Sequence, residues 1–205
     1  MLTQLAGPGA PGRADASRNR ELLLSTARRL VDEVGVTGLS MDALAAAAGL
    51  GKGTVFRRFG SRAGLFGALL DEYEREFQAA CLSGPAPLGP GADPLDRLVA
   101  FGRERLRFTA ERGHLIREVN ARPAIASAPA GFSRLHLRVL LGAAGVRGDA
   151  EVLAFQLHAA LEAPLGYYVE GHLEGVPHLS PQRLEEGWTA LVRAVVMSSA
   201  AAGGP

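Results

Sequence analysis

Cysteine is nearly absent: Cys81 is the only one in 205 residues. That excludes an internal disulfide framework and a cysteine-based zinc site, and it fits a reducing, cytoplasmic setting. Aromatic residues are sparse at 6%, whereas 47% hydrophobic and 21% charged residues is ordinary for a globular chain. No run reaches the roughly 18 apolar residues of a membrane span, and the first residues lack a basic-then-apolar signal pattern, so no membrane partner is expected. Strand-like alternation and internal repeats are missing too. An enzyme should show a constellation of catalytic groups, and none assembles. His114, His136, His158, His172 and His178 are scattered without a metal-ligand spacing. Glu185 and Glu186 are adjacent and suit a helix start better than acid–base work. Gly51 to Thr54 is too short for a phosphate loop and follows no strand. No catalytic residue, metal ligand or cofactor is therefore assigned.

What is present is uneven charge and one structured stretch. Residues 1–62 carry nine Lys or Arg against five Asp or Glu, and the rest carry thirteen against sixteen. A basic head on a mildly acidic body suits a polyanionic partner for the head alone. Lys52 is the sole lysine, and it lies in that head. Residues 39–59, LSMDALAAAAGLGKGTVFRRF, read as two short helices joined by a tight turn. Ser40 can cap the first, four alanines favour it, and Gly49 can stop it in the left-handed conformation. The second runs from Lys52 to Phe59 and can turn Val55 and Phe59 inward. It would expose Lys52, Thr54, Phe56, Arg57 and Arg58, chemistry suited to phosphates and base edges. Two helices joined by a glycine-bearing turn form the helix-turn-helix unit of DNA-binding proteins.

Residues 20–65 resemble the DNA-binding domain of the tetracycline-repressor (TetR) family of one-component transcriptional regulators. The resemblance rests on the Gly35 helix end, the Ser40 cap, Ala47-Ala48-Gly49-Leu50, Lys52 to Phe56, and Phe59 before Ser61-Arg62. Gly51 stands where the family usually has a Ser or Thr cap. Phe56 stands where it usually has Tyr, so a phosphate-binding hydroxyl is missing. The resemblance implies Ser40, Lys52, Gly53, Thr54, Phe56, Arg57, Arg58 and Arg62 as DNA-binding residues. It also implies a homodimer on a palindromic operator in double-stranded DNA, a small-molecule effector, and most often repression.

In chain order, residues 1–16 read as a disordered arm and 17–62 as the DNA-binding domain. Residues 63–199 would form a ligand-binding and dimerisation body, and 200–205 a tail. The fold class is all-α with about nine helices. The first should present Leu23, Ala27, Leu30, Val31 and Val34 on one face and end at Gly35. A helix from Arg62 should bury Leu65, Phe66, Leu69, Tyr73 and Phe77 while Glu74 faces away; Gly64 and Gly67 should soften its first turns. Residues 83–93 form a Gly/Pro linker. Asp93 and Pro94 can open a helix to about Arg112, with a separate short helix over 114–120. The last two long helices, about 149–171 and 180–198, are apolar on most sides, the second along Trp188, Leu191 and Val192. One protomer cannot cover both, and the resemblance pairs them with their copies in a dimer. Polar groups on apolar helices are candidate pocket residues: Glu118, Asn120, His136, Gln156, His158, Glu162, Tyr167, Tyr168 and Trp188. Two other classes remain open: a helical carrier or enzyme that includes a helix-turn-helix, and a non-specific DNA-packaging protein.

Overall fold

The computed structural model describes residues 11–119, 128–170 and 179–201. They form eight α-helices with no strand among them: α1 (Pro11–Gly38), α2 (Met41–Ala48), α3 (Lys52–Phe59), α4 (Arg62–Ser83), α5 (Pro94–Glu118), α6 (Ala128–Ala143), α7 (Ala150–Glu170) and α8 (Pro181–Ala201). The chain divides into two compact units at Leu69 and Leu70, inside α4.

The first unit is a small bundle closed by Leu23, Leu24, Ala27, Leu44, Val55, Leu65, Phe66 and Leu69, all fully buried. Its first helix corrects the expected arm, because helical backbone begins at Pro11. It also continues past the expected stop at Gly35. That residue takes φ 73° and ψ 171°, a conformation open to glycine, and kinks the helix instead of ending it. The kink redirects the stripe, so Val34 is exposed and Val36 is buried in its place. Gly64 has a packing role. A Cβ there would meet the Phe59 carbonyl oxygen at 2.1 Å, so glycine permits the close approach of α3's end to α4's first turn. The Ser61 hydroxyl accepts from the Gly64 N–H at 3.0 Å and caps that turn.

The second unit packs α5 against α6, α7 and α8 around Leu98, Phe101, Leu137, Leu140, Leu157 and Leu161. Asp93 caps α5, its Oδ1 accepting from Leu95 N–H at 2.9 Å, and Pro94 opens it. The helix then runs unbroken to Glu118 with Gly113 buried, so one helix replaces the expected two. Glu74 departs furthest from its expected place on an outer face. It is buried and accepts from Arg105 Nη1 at 2.5 Å, while Arg105 Nη2 lies 3.6 Å from Glu162. The apolar stripe of α4 therefore carries a charge because α5 supplies its partner. The expected 200–205 tail is helical as far as Ala201.

Trp188 ties α8 to α5. Its Nε1–H donates to the Leu98 carbonyl at 3.1 Å, and its ring lies over Gly102. A Cβ on Gly102 would stand 1.8 Å from Trp188 Cε2. Gly102→Ala gains about 1 kcal/mol of helix propensity, but overpacking of this kind costs about 1–3 kcal/mol. With the ring held by its hydrogen bond, the clash wins. Urea unfolding followed by Trp188 fluorescence should show a net loss of up to about 2 kcal/mol.

Candidate nucleic-acid interface and the polar core of the body

Local sequence sets the geometry of the helix pair. Ser40 is extended at φ −113°, and its hydroxyl accepts from Ala43 N–H at 3.0 Å. Gly49 closes α2 at φ 65°, and Leu50 N–H returns to the Ala45 carbonyl at 3.0 Å. Three residues then separate α2 from α3. Gly51 precedes α3 in extended backbone and provides no side-chain cap. Val55 is fully buried, which fixes the rotation of α3 and turns Lys52, Gly53, Phe56, Arg57 and Arg58 outward, with Thr54 half-buried.

These side chains are not equally available. Lys52 Nζ reaches Asp42 of α2 at 2.6 Å, an exposed pair that water screens. Arg58 donates to the Ala16 carbonyl of α1 at 2.7 Å. Arg57 makes no ion pair among the described residues, and it faces a cleft of about 370 Å³ with Asp15 and Asn19 on the α1 side. Phe56 is 47% exposed, a large apolar surface.

Two members of the expected set also do structural work. Arg62 is partly buried, its Nε donating to the Leu39 carbonyl at 2.9 Å and Nη2 to that of Val36. Its guanidinium also lies 4.7 Å from the Phe66 ring centre. It therefore pins the chain entering α2. The Ser40 hydroxyl is occupied by its cap. Sequence reading missed Asp42, Asp15, Asn19 and Ala16, because their approach to α3 depends on how α1 and α2 pack.

The candidate pocket residues scatter more. Asn120, His172 and His178 lie outside the described residues, as do the side chains of Tyr167 and Tyr168. Gln156 is exposed, turned away from the core by the rotation that buries Leu157 and His158. Trp188 is engaged with Leu98, and Glu118 is half-buried at the end of α5. His136, His158 and Glu162 do belong to the interior of the second unit. His136 stacks on Phe132 at 5.5 Å with 14° between the planes and lies 5.1 Å from Phe101. Ser133, one turn earlier on α6, is fully buried and was not foreseen. Arg105 could have been, since it sits among the inward residues Phe101, Gly102, Leu106 and Thr109.

Burial decides the protonation of this core. It lowers His136 to about 4, with the Arg97 charge acting the same way. Burial also lowers His158, opposed by Glu162 and assisted by Arg105 and Arg134. Cys81 is pushed up to about 12, by burial first and then by Glu74, so its thiol stays protonated and unreactive. No group of three or more His, Cys, Asp or Glu among the described residues could hold a metal ion, and no described helix is long and apolar enough to cross a membrane.

The sequence model described as "Bacterial regulatory proteins, tetR family" matches residues 23–69. The head is a TetR-family domain. The match runs from Leu23 within α1 through α2 and α3 to Leu69, the end of the first unit in α4. A search of the curated proteins found no match. Among solved structures, a TetR-family transcriptional regulator from Pectobacterium atrosepticum is 22% identical, with 91% of this chain and 96% of that one covered at TM-score 0.64. A regulator of the TetR/AcrR family from Thermobifida fusca is 20% identical, with 86% and 96% covered at TM-score 0.57. The reduced form of NemR from E. coli is 21% identical, with 87% and 96% covered at TM-score 0.53. These likenesses cover nearly the whole of each relative, so the eight helices have the TetR fold, a helix-turn-helix head and a helical body.

The buried imidazole gives a pH dependence with a definite sign. His136 binds its proton near pH 6.5 when unfolded but only near 4 when folded. Its contribution is present above about pH 6.5 and lost as pH falls towards 4. Denaturant unfolding at pH 7.5 and 4.5 should show lower stability in acid, and His136→Leu should reduce that difference.

Proposed function

We propose that the chain is a ligand-responsive transcriptional regulator, acting as a homodimer on a palindromic operator and, as a repressor, released by a small molecule. The observation that carries this is the outward face of α3. A buried Val55 holds a TetR-family recognition helix so that Arg57, Arg58, Lys52 and Phe56 project together from a basic head. A helix of this kind enters the major groove, where arginine reads guanine through two hydrogen bonds and lysine holds a phosphate. Arg57, with no ion pair among the described residues, is the base reader in this account. Lys52, at the helix start beside Asp42, is the phosphate clamp and exchanges a carboxylate for a phosphate oxygen on binding. Arg62 and Ser40 support the reading surface and do not form it.

Two heads are needed for an inverted pair of half-sites, about one helical turn apart. The second unit offers the surface for pairing. Val152 and Phe155 of α7 and Leu191 and Met197 of α8 are large apolar side chains left exposed. Val192, on the same helix, is fully buried in the protomer's own core and plays no part in this pairing. An effector then shifts the population of head arrangements only as far as its affinities for them differ.

Titrations of DNA at several salt concentrations test the division of labour. Arg57→Ala should cost about 1–3 kcal/mol on the operator and relax preference at one base step. Lys52→Ala should weaken operator and random DNA alike and lower the salt slope by about one. Identical behaviour of the two variants would refute the assignment.

Pairing is tested by sedimentation. Leu191→Glu places a charge in the proposed contact, where it has no partner and is costly to desolvate. Ultracentrifugation should show a wild-type dimer at micromolar concentration and a folded monomer for the variant. A wild-type monomer would remove the palindrome argument.

A further inference from the structure

One side chain on the outward face of α3 has no charge to offer a phosphate and no place in the core. Phe56 is 47% exposed, whereas Val55 of the same helix is fully buried and Phe59 half-buried. A lone exposed hydrophobe is ordinary on a protein surface. This one stands with Lys52, Gly53, Arg57 and Arg58 on the exposed side of a helix that the TetR-family match includes.

Its neighbours leave the ring open. A helical side chain leans over the turn before it, so Phe56 lies above Lys52 and Gly53. Gly53 presents bare backbone, and even a Cβ there would meet nothing within 4 Å. Lys52 is held by Asp42 of α2 at 2.6 Å. Arg57 lines the cleft towards Asp15 and Asn19 of α1, and Arg58 donates to the Ala16 carbonyl at 2.7 Å. The cations are thus engaged with α2 on one side and α1 on the other, and the phenyl ring stands between them.

The chemistry of a duplex restricts what such a ring can cover. It has neither a donor for a phosphate oxygen nor an acceptor for a base amino group. The major-groove edges of guanine, cytosine and adenine present donors and acceptors, while thymine adds a 5-methyl group. Laying a phenyl ring on the polar edges strips their hydration without replacing a hydrogen bond. Laying it on the methyl removes apolar surface from water on both partners.

We propose that Phe56 is a specificity-determining residue, its ring covering the 5-methyl group of one thymine in each half-site, close to the base that Arg57 reads. The inference rests on the reading of α3 as a base-reading helix and adds a second base to it. Cytosine methylated at C5 presents the same group at the same place on the groove edge, so it substitutes in part for that thymine.

The test uses duplexes selected by the full chain and resynthesised with deoxyuridine for thymidine, one position at a time. This deletes the methyl and leaves base pairing unchanged. At one position in each half-site the wild-type chain should lose about fourfold in affinity or more, and Phe56→Ala less than about twofold. Phe56→Leu, which stays apolar, should keep most of the discrimination. With cytosine at that position, 5-methylation should restore part of the affinity for the wild-type chain and none for Phe56→Ala. If Phe56→Ala does not fold, Phe56→Gln gives the same comparison with the side-chain bulk retained. No uracil-sensitive position, or an equal uracil effect in the wild-type and polar or truncated variants, overturns the inference and leaves the ring against deoxyribose. An enriched sequence without a methyl effect removes the Phe56 assignment alone, whereas selection that enriches no sequence removes the base-reading account beneath it.

Discussion

The left-handed turn at Gly49 is the constraint on which the reading head depends. Glycine there lets the backbone reverse at φ 65° while Leu50 N–H still finds the Ala45 carbonyl. A residue with a Cβ would strain the turn and misplace the start of α3. With the turn fixed, Val55 enters the core, and the side chains on the far side of an eight-residue helix can only point outward. Arg62 completes the frame by holding the Val36 and Leu39 carbonyls ahead of α2. Two backbone devices and one guanidinium thus position the proposed base reader, and none of them needs to touch DNA.

The second unit is organised by a different constraint, buried charge. Arg105 sits between Glu74 and Glu162 with its guanidinium 5.6 Å from the Phe77 ring centre and 5.1 Å from that of Phe108. Such an arrangement is poor at adding stability, because desolvating three charges offsets most of their attraction. Its effect is on specificity of packing, as α4, α5 and α7 must stand in one register for the charges to meet. The same register buries His158 one turn from Glu162 and leaves the imidazole unpaired.

Much of the head was legible in the sequence because its signals are local. Ser40, Gly49 and Val55 act through neighbours within a few residues, and a cap or a positive-φ glycine reads directly from residue type. The framing role of Arg62 was not legible, because its backbone partners lie 23 and 26 residues away, invisible to a local pattern. The packing role of Gly64 was hidden for the same reason: a soft helix start and a close approach to Phe59 look identical in the sequence. In the body, most helix positions followed from period and caps, but α5 runs on through the break expected after Arg112. The polar core did not, since whether Glu74 faces water or Arg105 depends on a partner 31 residues on. Gln156 and His158 are two residues apart, and only the rotation of α7 separates the exposed one from the buried one.

The central claim is that this face of α3 reads sequence, twice, in one dimer. The most direct measurement is selection of bound DNA from a random duplex library by the full chain, followed by sequencing. The account predicts enrichment of an inverted repeat whose half-site centres lie about one helical turn apart, or a whole multiple of it. Retention of DNA with no enriched sequence, or enrichment of a single unrepeated half-site, would contradict it.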